Sequence, residues 1–182
     1  MLKLGAKELR TTEGDEKVKK NLKKNPIYII VDNVLDTYNT GSIFRLADAV
    51  AATKVYLCGV TETPPNSRIK KASINTTEWV EWEYFADTKS AIDHLRLTID
   101  DLQVVAIEQS PKSVPFDRAE YKFPTAFIVS NETSGASQEV LEAVDMIVEI
   151  PMWGVNKSLN VMVSLGIVLF HVTPKMLVLP KL

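Results

Sequence analysis

Cysteine and histidine are scarce in this chain, which holds one Cys and two His among 182 residues. Cys58 has no partner for an internal disulfide and lies in an apolar, strand-like run, so we expect it to be a small buried residue. His94 and His171 are far apart in the sequence. Because a structural zinc site needs several Cys or His ligands, we expect no metal site.

Long hydrophobic runs are also missing. The longest, residues 161–172, is interrupted by Ser164, Gly166 and His171, and it falls short of the roughly 20 residues that a membrane-spanning helix needs. The N-terminal segment is polar and contains no apolar signal region. These absences predict a cytoplasmic protein without a membrane segment.

The net charge is small, −2, which argues against a chain that coats nucleic acid non-specifically. Its distribution is uneven, however, because residues 1–25 carry eight Lys or Arg against four acids, a balance of +4 that leaves −6 for the remainder. We therefore divide the chain into a basic arm, residues 1–25, and one domain, residues 26–182. The arm either faces nucleic acid or is a solvated, partly helical tail.

Apolar runs alternate with helical patterns along the domain. Continuous apolar or β-branched runs predict strands at residues 27–31, 54–60, 102–107, 125–130 and 146–150, with an edge strand at 80–85. Helical spacing predicts helices at 40–50, 87–99, 138–144 and 159–172, and a short one opening near 68–71. This alternation predicts an α/β domain with a mainly parallel sheet and helices on both faces, with residues 108–122 irregular.

No standard nucleotide motif accompanies this pattern, since neither G-x-G-x-x-G nor G-x-x-x-x-G-K-[ST] occurs. Residues 149–164 are instead the most informative stretch. Pro151 ends a strand, Gly154 permits a tight turn, and Ser158 can cap a helix whose first turn contains Asn160. A strand, a shaped loop and a helix N-terminus suit a small polar ligand, although an ordinary strand-to-helix connection has the same pattern.

Three polar loops, each after a predicted strand, occur in a fixed order. They are Asn39-x-Gly41-x-x-x-Arg45, Asn131-Glu132-x-x-Gly135, and Ile150-Pro151-Met152-x-Gly154-x-x-x-Ser158-Leu159-Asn160-Val161. Together they resemble the three motifs of the SpoU (TrmH-like) RNA 2′-O-ribose methyltransferases, a branch of the SPOUT superfamily. The resemblance covers about residues 26–172, and the third motif is the most specific of the three.

The resemblance implies a fold and a reaction that composition does not reveal. SPOUT domains are α/β, with a deep trefoil knot near the C-terminus that is an exception to the rule against knots. They bind S-adenosylmethionine in the knotted loops and work as homodimers, with the active site near the interface. The implied activity is methyl transfer to a ribose 2′-hydroxyl of RNA. Transfer RNA is the expected substrate, because the chain lacks the large RNA-binding domain common in ribosomal RNA members.

The resemblance also implies roles for individual residues. The catalytic set, in which Arg45 matches the arginine assigned to the ribose hydroxyl, is Arg45, Asn39, Glu132, Ser158 and Asn160. The set at the S-adenosylmethionine pocket is Ile107, Ser130, Asn131, Gly135, Ile150, Met152 and Leu159. One position departs from the family, which usually has Gly where this chain has Ser130.

Arginine is a poor general base, because its guanidinium is normally fully protonated and has no acceptor. We therefore expect Arg45 to stabilise developing alkoxide charge or to grip a phosphate, while the proton leaves through a phosphate, water or Glu132. The lysines of the arm are candidates for phosphate contacts. A second basic group, Arg68, Lys70 and Lys71, is a candidate for the same contacts. Trp153 could stack a base or cover the pocket, whereas Trp79 and Trp82 have the spacing of packing residues.

Two other activities fit the same motifs. One is a knotted RNA-binding protein that has lost catalysis, which only Ser130 supports. The other is a base methyltransferase from another SPOUT branch, against which the spacing from Asn39 to Arg45 argues. A general nucleotide-binding α/β protein is the remaining possibility if the motif match is misleading.

Overall fold

The computed structural model describes residues 3–176, with side chains through residue 174. Seven strands occur in this part: β1 (Asn25–Asp32), β2 (Ala52–Cys58), β3 (Trp82–Phe85), β4 (Gln103–Ile107), β5 (Val114–Pro115), β6 (Thr125–Ser130) and β7 (Met146–Glu149). The α-helices are α1 (Ala6–Leu9), α2 (Glu16–Asn21), α3 (Thr37–Ala49), α4 (Ser67–Ser73), α5 (Thr88–Thr98), α6 (Gln138–Ala143) and α7 (Val161–Met176). A 3-10 turn spans Thr76–Glu78.

The strands form one parallel sheet in the order β3-β2-β1-β6-β4-β7-β5. This confirms the predicted α/β class, and β3 is the edge strand that the sequence indicated. Because all strands are parallel, the carboxyl ends of β1, β4, β6 and β7 meet at one edge of the sheet. The loops that carry the three motifs leave from this edge, as expected for ligand sites of α/β proteins.

Helices cover both faces of the sheet because alternate strand residues are apolar on both sides. On one face, Ile29 and Phe127 belong to a core that includes residues of α3, α4 and α7. On the other, Ile30 and Ile128 pack in a second core with residues of α5 and α6. Cys58, the last residue of β2, is fully buried in this second core, as predicted.

Gly41 lets α3 and α4 approach closely. A Cβ at this position would lie 2.6 Å from Cβ of Ala72 and 2.7 Å from the carbonyl oxygen of Ile69. Such distances are well inside van der Waals contact, so a side chain here would push the helices apart. The glycine of the first motif is therefore explained by helix packing.

The helix α3 begins earlier than the sequence pattern indicates. Asp36 is its N-cap, with a carboxylate oxygen that accepts the Tyr38 N–H at 2.8 Å. An aspartate is a strong cap, and here it adds residues 37–39 to the predicted helix. Asn39 consequently lies inside the first turn of α3 and not ahead of the helix.

The last helix begins later than predicted. We expected Ser158 to be the cap, but α7 starts at Val161 and the Oδ1 atom of Asn160 accepts the Met162 N–H at 3.0 Å. Asn156 accepts the Ser158 N–H and keeps that part of the chain in a turn. Asn160 is thus the capping residue and Ser158 is part of the preceding loop.

One strand lies where the sequence predicted none. The strand β5 lies in the stretch 108–122, which we expected to be irregular, and pairs with β7 at the sheet edge. No helix of the described part of the chain is both long and apolar enough to cross a membrane. The knot stays a prediction.

The N-terminal segment forms the two short helices α1 and α2. The Nδ2 atom of Asn75 donates to the carbonyl oxygens of Leu9 and Thr12, at 3.1 and 3.0 Å. A Cβ on Gly14 would lie 2.2 Å from the carbonyl oxygen of Glu78. The segment is therefore packed against the turn that follows α4.

Candidate functional site

A cavity of about 580 Å³ opens at the carboxyl ends of β4, β6 and β7. Its wall is formed by the residues that follow these three strands, together with the start of α7. All of the residues assigned to the methyl donor lie in this wall: Ile107, Ser130, Asn131, Gly135, Ile150, Met152 and Leu159. Cavities of this size hold small organic ligands.

The loop after β6 is shaped by its own side chains. Oδ1 of Asn131 accepts the N–H groups of Thr133 and Ser134, both at 2.9 Å, and its Nδ2 donates to the carbonyl oxygen of Asn33. Gly135 has φ of +65°, a left-handed conformation in which a side chain is strained. The Asn and Gly of the second motif therefore fix a tight turn at the mouth of the cavity.

Glu132 connects the second motif to the first. Its Oε1 accepts from Nδ2 of Asn39 at 2.8 Å and from the Asp36 N–H at 3.1 Å, and its Oε2 accepts the Leu35 N–H at 3.0 Å. Asn39, which is buried, uses its other amide atom to accept from Nδ2 of Asn160 at 3.0 Å. The three motifs thus meet in one chain of hydrogen bonds, Glu132–Asn39–Asn160.

The protonation of Glu132 is set by these contacts. Its partial burial acts to raise its pKa, but the hydrogen bonds from Asn39 and from the backbone of Leu35 and Asp36 outweigh that effect. The pKa of Glu132 is therefore lower than its ordinary value. The carboxylate is ionised at neutral pH, and as such it can only accept hydrogen bonds.

The loop of the third motif is open to solvent. Residues 153–160 are all exposed, and Trp153 is 92% exposed. Ser158 and Asn160 nonetheless line the cavity, so the loop forms one of its walls. An aromatic ring this exposed is free to contact a large substrate.

Arg45 stands apart from the other predicted catalytic residues. It is exposed on α3, and within the described chain it is not part of the cavity wall that contains Glu132, Ser158 and Asn160. It lies six positions after Asn39, which is about 9 Å along a helix axis. The single chain therefore brings together four of the five predicted catalytic residues.

The predicted basic group lies on α4, outside the cavity wall. Arg68, Lys70 and Lys71 are all exposed there. The tryptophans assigned to packing occupy such positions: Trp79 is 5% exposed, and Trp82 packs against the first core.

Sequence reasoning missed Glu108 and Gln109, which follow β4 and line the cavity. They begin the stretch that we expected to be irregular, and they belong to none of the three motifs. Polar residues directly after a buried parallel strand were the available signal, because ligand sites gather at the carboxyl ends of such strands.

The chain is similar to known RNA-modifying proteins. The sequence model of the SpoU rRNA Methylase family matches residues 26–170. The chain is 32% identical over 153 residues to the tRNA (guanosine(18)-2′-O)-methyltransferase of Aquifex aeolicus, which covers 82% of this chain and 69% of that protein. It is 30% identical over 156 residues to the 23S rRNA (guanosine-2′-O-)-methyltransferase RlmB of Neisseria meningitidis, covering 85% and 60%.

Solved structures show the same relationship. The A. aeolicus TrmH/SpoU tRNA modifying enzyme superposes with a TM-score of 0.74 and 30% identity, over 93% of this chain and 81% of that one. An AdoMet-bound rRNA methyltransferase from Sinorhizobium meliloti gives a TM-score of 0.77 and 27% identity, over 93% and 60%. The chain therefore matches the Aquifex proteins over more than two thirds of their length and the other two over less.

Proposed function

The chain belongs to the SpoU rRNA Methylase family, and from this premise we propose that it transfers a methyl group from S-adenosylmethionine to a ribose 2′-hydroxyl of RNA. The observation that carries the proposal is the hydrogen-bonded chain Glu132–Asn39–Asn160 beside the cavity. It joins residues of all three motifs at the edge of a parallel sheet where ligands bind.

The cavity fits the methyl donor. Its volume of about 580 Å³ lies within the range of small-molecule sites, and polar backbone and side-chain groups lie among apolar ones in its wall. Ile107, Ser130, Ile150 and Leu159 would hold the donor. S-adenosylmethionine, when bound, supplies a methyl group that its sulfonium centre has already activated.

The protein's own contribution is to position the ribose and to let its hydroxyl proton leave, to a phosphate, to water or to the ionised Glu132. We assign to Arg45 one of two roles. It stabilises the negative charge that develops on the ribose oxygen, or it binds the neighbouring phosphate, because a guanidinium only donates hydrogen bonds. The ionised Glu132 holds Asn39, and through it Asn160, in place. Ser158, exposed at the cavity wall, is assigned to the RNA.

The same geometry supports a homodimer. The exposed apolar residues Val163, Ile167 and Phe170 of α7 are 40%, 36% and 56% exposed, and their spacing puts them on one helix face. A second copy packed on this face would bury it, and we propose that Arg45 of one chain then serves the cavity of the other. The catalytic set, incomplete in one chain, would then be complete in the dimer.

We propose that the substrate is transfer RNA and that the protein acts in the cytoplasm. The relatives described above act on transfer RNA or ribosomal RNA, and the Aquifex protein, whose name specifies transfer RNA, is matched over more of its length. The exposed cations Arg68, Lys70 and Lys71 supply sites for phosphates, and the lysines of the N-terminal segment extend this charge.

The experiment is methyl transfer from labelled S-adenosylmethionine to bulk transfer RNA and, separately, to bulk ribosomal RNA. We expect incorporation into transfer RNA. Incorporation only into ribosomal RNA would change the substrate class. RNA binding without incorporation into either, by a folded protein, would favour the inactive RNA-binding alternative.

A further inference from the structure

Two consecutive residues after β4 connect the two loops that wall the cavity. Oε2 of Glu108 accepts the Ala136 N–H at 3.1 Å, in the loop after β6. The side-chain amide of Gln109 donates to the carbonyl oxygen of Lys157, in the loop before α7. One residue thus reaches the second motif and its neighbour reaches the third.

Glu108 is itself fixed on both sides. Its backbone N–H donates to the carbonyl oxygen of Val148 in β7 at 3.0 Å, and its Oε1 accepts the Gln109 N–H at 2.9 Å. Both carboxylate oxygens are therefore occupied by backbone donors, one from each of two chain segments. A carboxylate is the only side-chain group of this length that offers acceptors on both atoms.

Gly135 explains why the carboxylate fits at this place. A Cβ on Gly135 would lie 2.6 Å from Oε2 of Glu108, so a side chain here would displace the carboxylate from its present position. The glycine of the second motif therefore has two roles: it allows the tight turn, and it leaves space for the Glu108 carboxylate. Glu108 and the loop 131–136 thus form one packed unit at the cavity wall.

Gln109 contacts the part of the cavity wall that is most exposed to solvent. Residues 153–160 are exposed, and Lys157 lies in the middle of them. The hydrogen bond to the Lys157 carbonyl restrains this segment, which few packing contacts hold in place. Because the segment is already restrained, less conformational entropy is lost when a ligand binds to it.

We infer that Glu108 and Gln109 are positioning residues that hold the second- and third-motif loops at the spacing needed to bind S-adenosylmethionine. This inference rests on the proposed function for its ligand. Neither residue is assigned to the reacting atoms, so their loss is expected to act on donor affinity and not on the methyl-transfer step.

The test uses the full chain in three variants: Glu108→Gln, Gln109→Ala and Gln103→Ala. Glutamine keeps the size of Glu108 but offers one acceptor atom in place of two, so one backbone N–H loses its partner. Gln103→Ala is the matched control, because Gln103 lies at the other end of β4 and bonds there to Glu120 and Lys122.

Calorimetric titration with S-adenosylmethionine is expected to give a Kd about fivefold to tenfold higher for Glu108→Gln and Gln109→Ala, and an unchanged Kd for Gln103→Ala. With bulk transfer RNA, the KM for the donor should rise while kcat at saturating donor stays within about twofold of the parent value. Unchanged Kd in both variants, or a lower kcat with unchanged KM, would overturn the inference.

Hydrogen exchange of the free proteins separates this inference from the proposed function. Amides 131–136 should exchange faster in Glu108→Gln, and amides 156–160 faster in Gln109→Ala. Faster exchange in a protein whose parent form binds no S-adenosylmethionine would support the loop restraint and contradict the proposed donor. Unchanged exchange in both variants would overturn the restraint itself.

Discussion

Asn39 donates to Glu132 across 2.8 Å, although they lie 93 positions apart in the sequence. The contact joins the first turn of α3 to the loop after β6, and Asn39 extends it to Asn160 at the start of α7. An amide is required in the middle, because Asn39 donates with one atom to a carboxylate and accepts with the other. This contact orders the side chains around the proposed reaction.

Replacement of Asn39 by Asp tests that requirement with almost no change in size. It removes the donor and places a second carboxylate beside Glu132, so the two charges repel. We expect methyl transfer to fall about 100-fold, because small misplacements of catalytic groups have effects of this order. Asn25→Asp is the control. It removes an amide donor to the carbonyl oxygen of Val50 at the amino end of β1, away from the cavity. Equal loss of turnover in both variants would indicate a general loss of stability.

Arg45→Ala tests the assigned charge stabilisation. The side chain is exposed, so its loss should leave the melting temperature and donor affinity unchanged. We expect turnover to fall about 100-fold to 1,000-fold, the usual effect of removing a donor to developing charge. Arg118→Ala, at another exposed arginine, is the matched control. Full turnover of Arg45→Ala on transfer RNA would contradict the assignment.

Mixed dimers test whether Arg45 serves the cavity of its partner. When Arg45→Ala and Glu132→Gln chains are mixed and exchange subunits, each mixed dimer has one site with both parent residues if Arg45 acts on the partner. About a quarter of the parent activity should then return, since half of the dimers are mixed and each has one working site. If Arg45 serves its own chain, every site lacks one residue and mixing restores nothing.

The fold and most of the cavity wall could be predicted because they depend on local patterns. The buried runs identified the strands, and the three motifs placed residues such as Ser130 and Asn131 correctly at the edge of the sheet. The cap of α7 was predicted wrongly, since Ser158 and Asn160 are both good caps and the choice depends on contacts with α3. Glu108 was missed because its partner in the second-motif loop, the Ala136 N–H, lies 28 positions further on and is a backbone group.

Gly41→Ala tests the close contact of α3 and α4. The added Cβ would lie 2.6 Å from Cβ of Ala72 and 2.7 Å from the carbonyl oxygen of Ile69, both in α4, and it can be accommodated only by moving the helix. We expect the free energy of unfolding to fall by about 1–3 kcal/mol. Gly154→Ala is the stability control, because nothing lies within 4 Å of the Cβ that it adds. Equal stability of the two variants in chemical denaturation would contradict this packing.

The lowered pKa of Glu132 predicts a dependence of stability on pH. Its folded pKa lies below its ordinary value of 4.5, so the ionised form is favoured by folding. That contribution is complete above the unfolded pKa and is lost as pH falls through the folded pKa. Glu132→Gln should therefore be less stable than the parent protein at pH 7, with a difference that shrinks below about pH 4. A difference independent of pH in denaturation experiments would contradict this assignment.

The proposed reaction is tested most directly by locating the transferred methyl group. Transfer RNA is incubated with the protein and labelled S-adenosylmethionine, digested to nucleosides and analysed by mass spectrometry. We predict that the label appears in a 2′-O-methylated nucleoside, and that Arg45→Ala abolishes most of it. Label on a base, or none at all with a folded protein that binds the donor, would contradict ribose methylation.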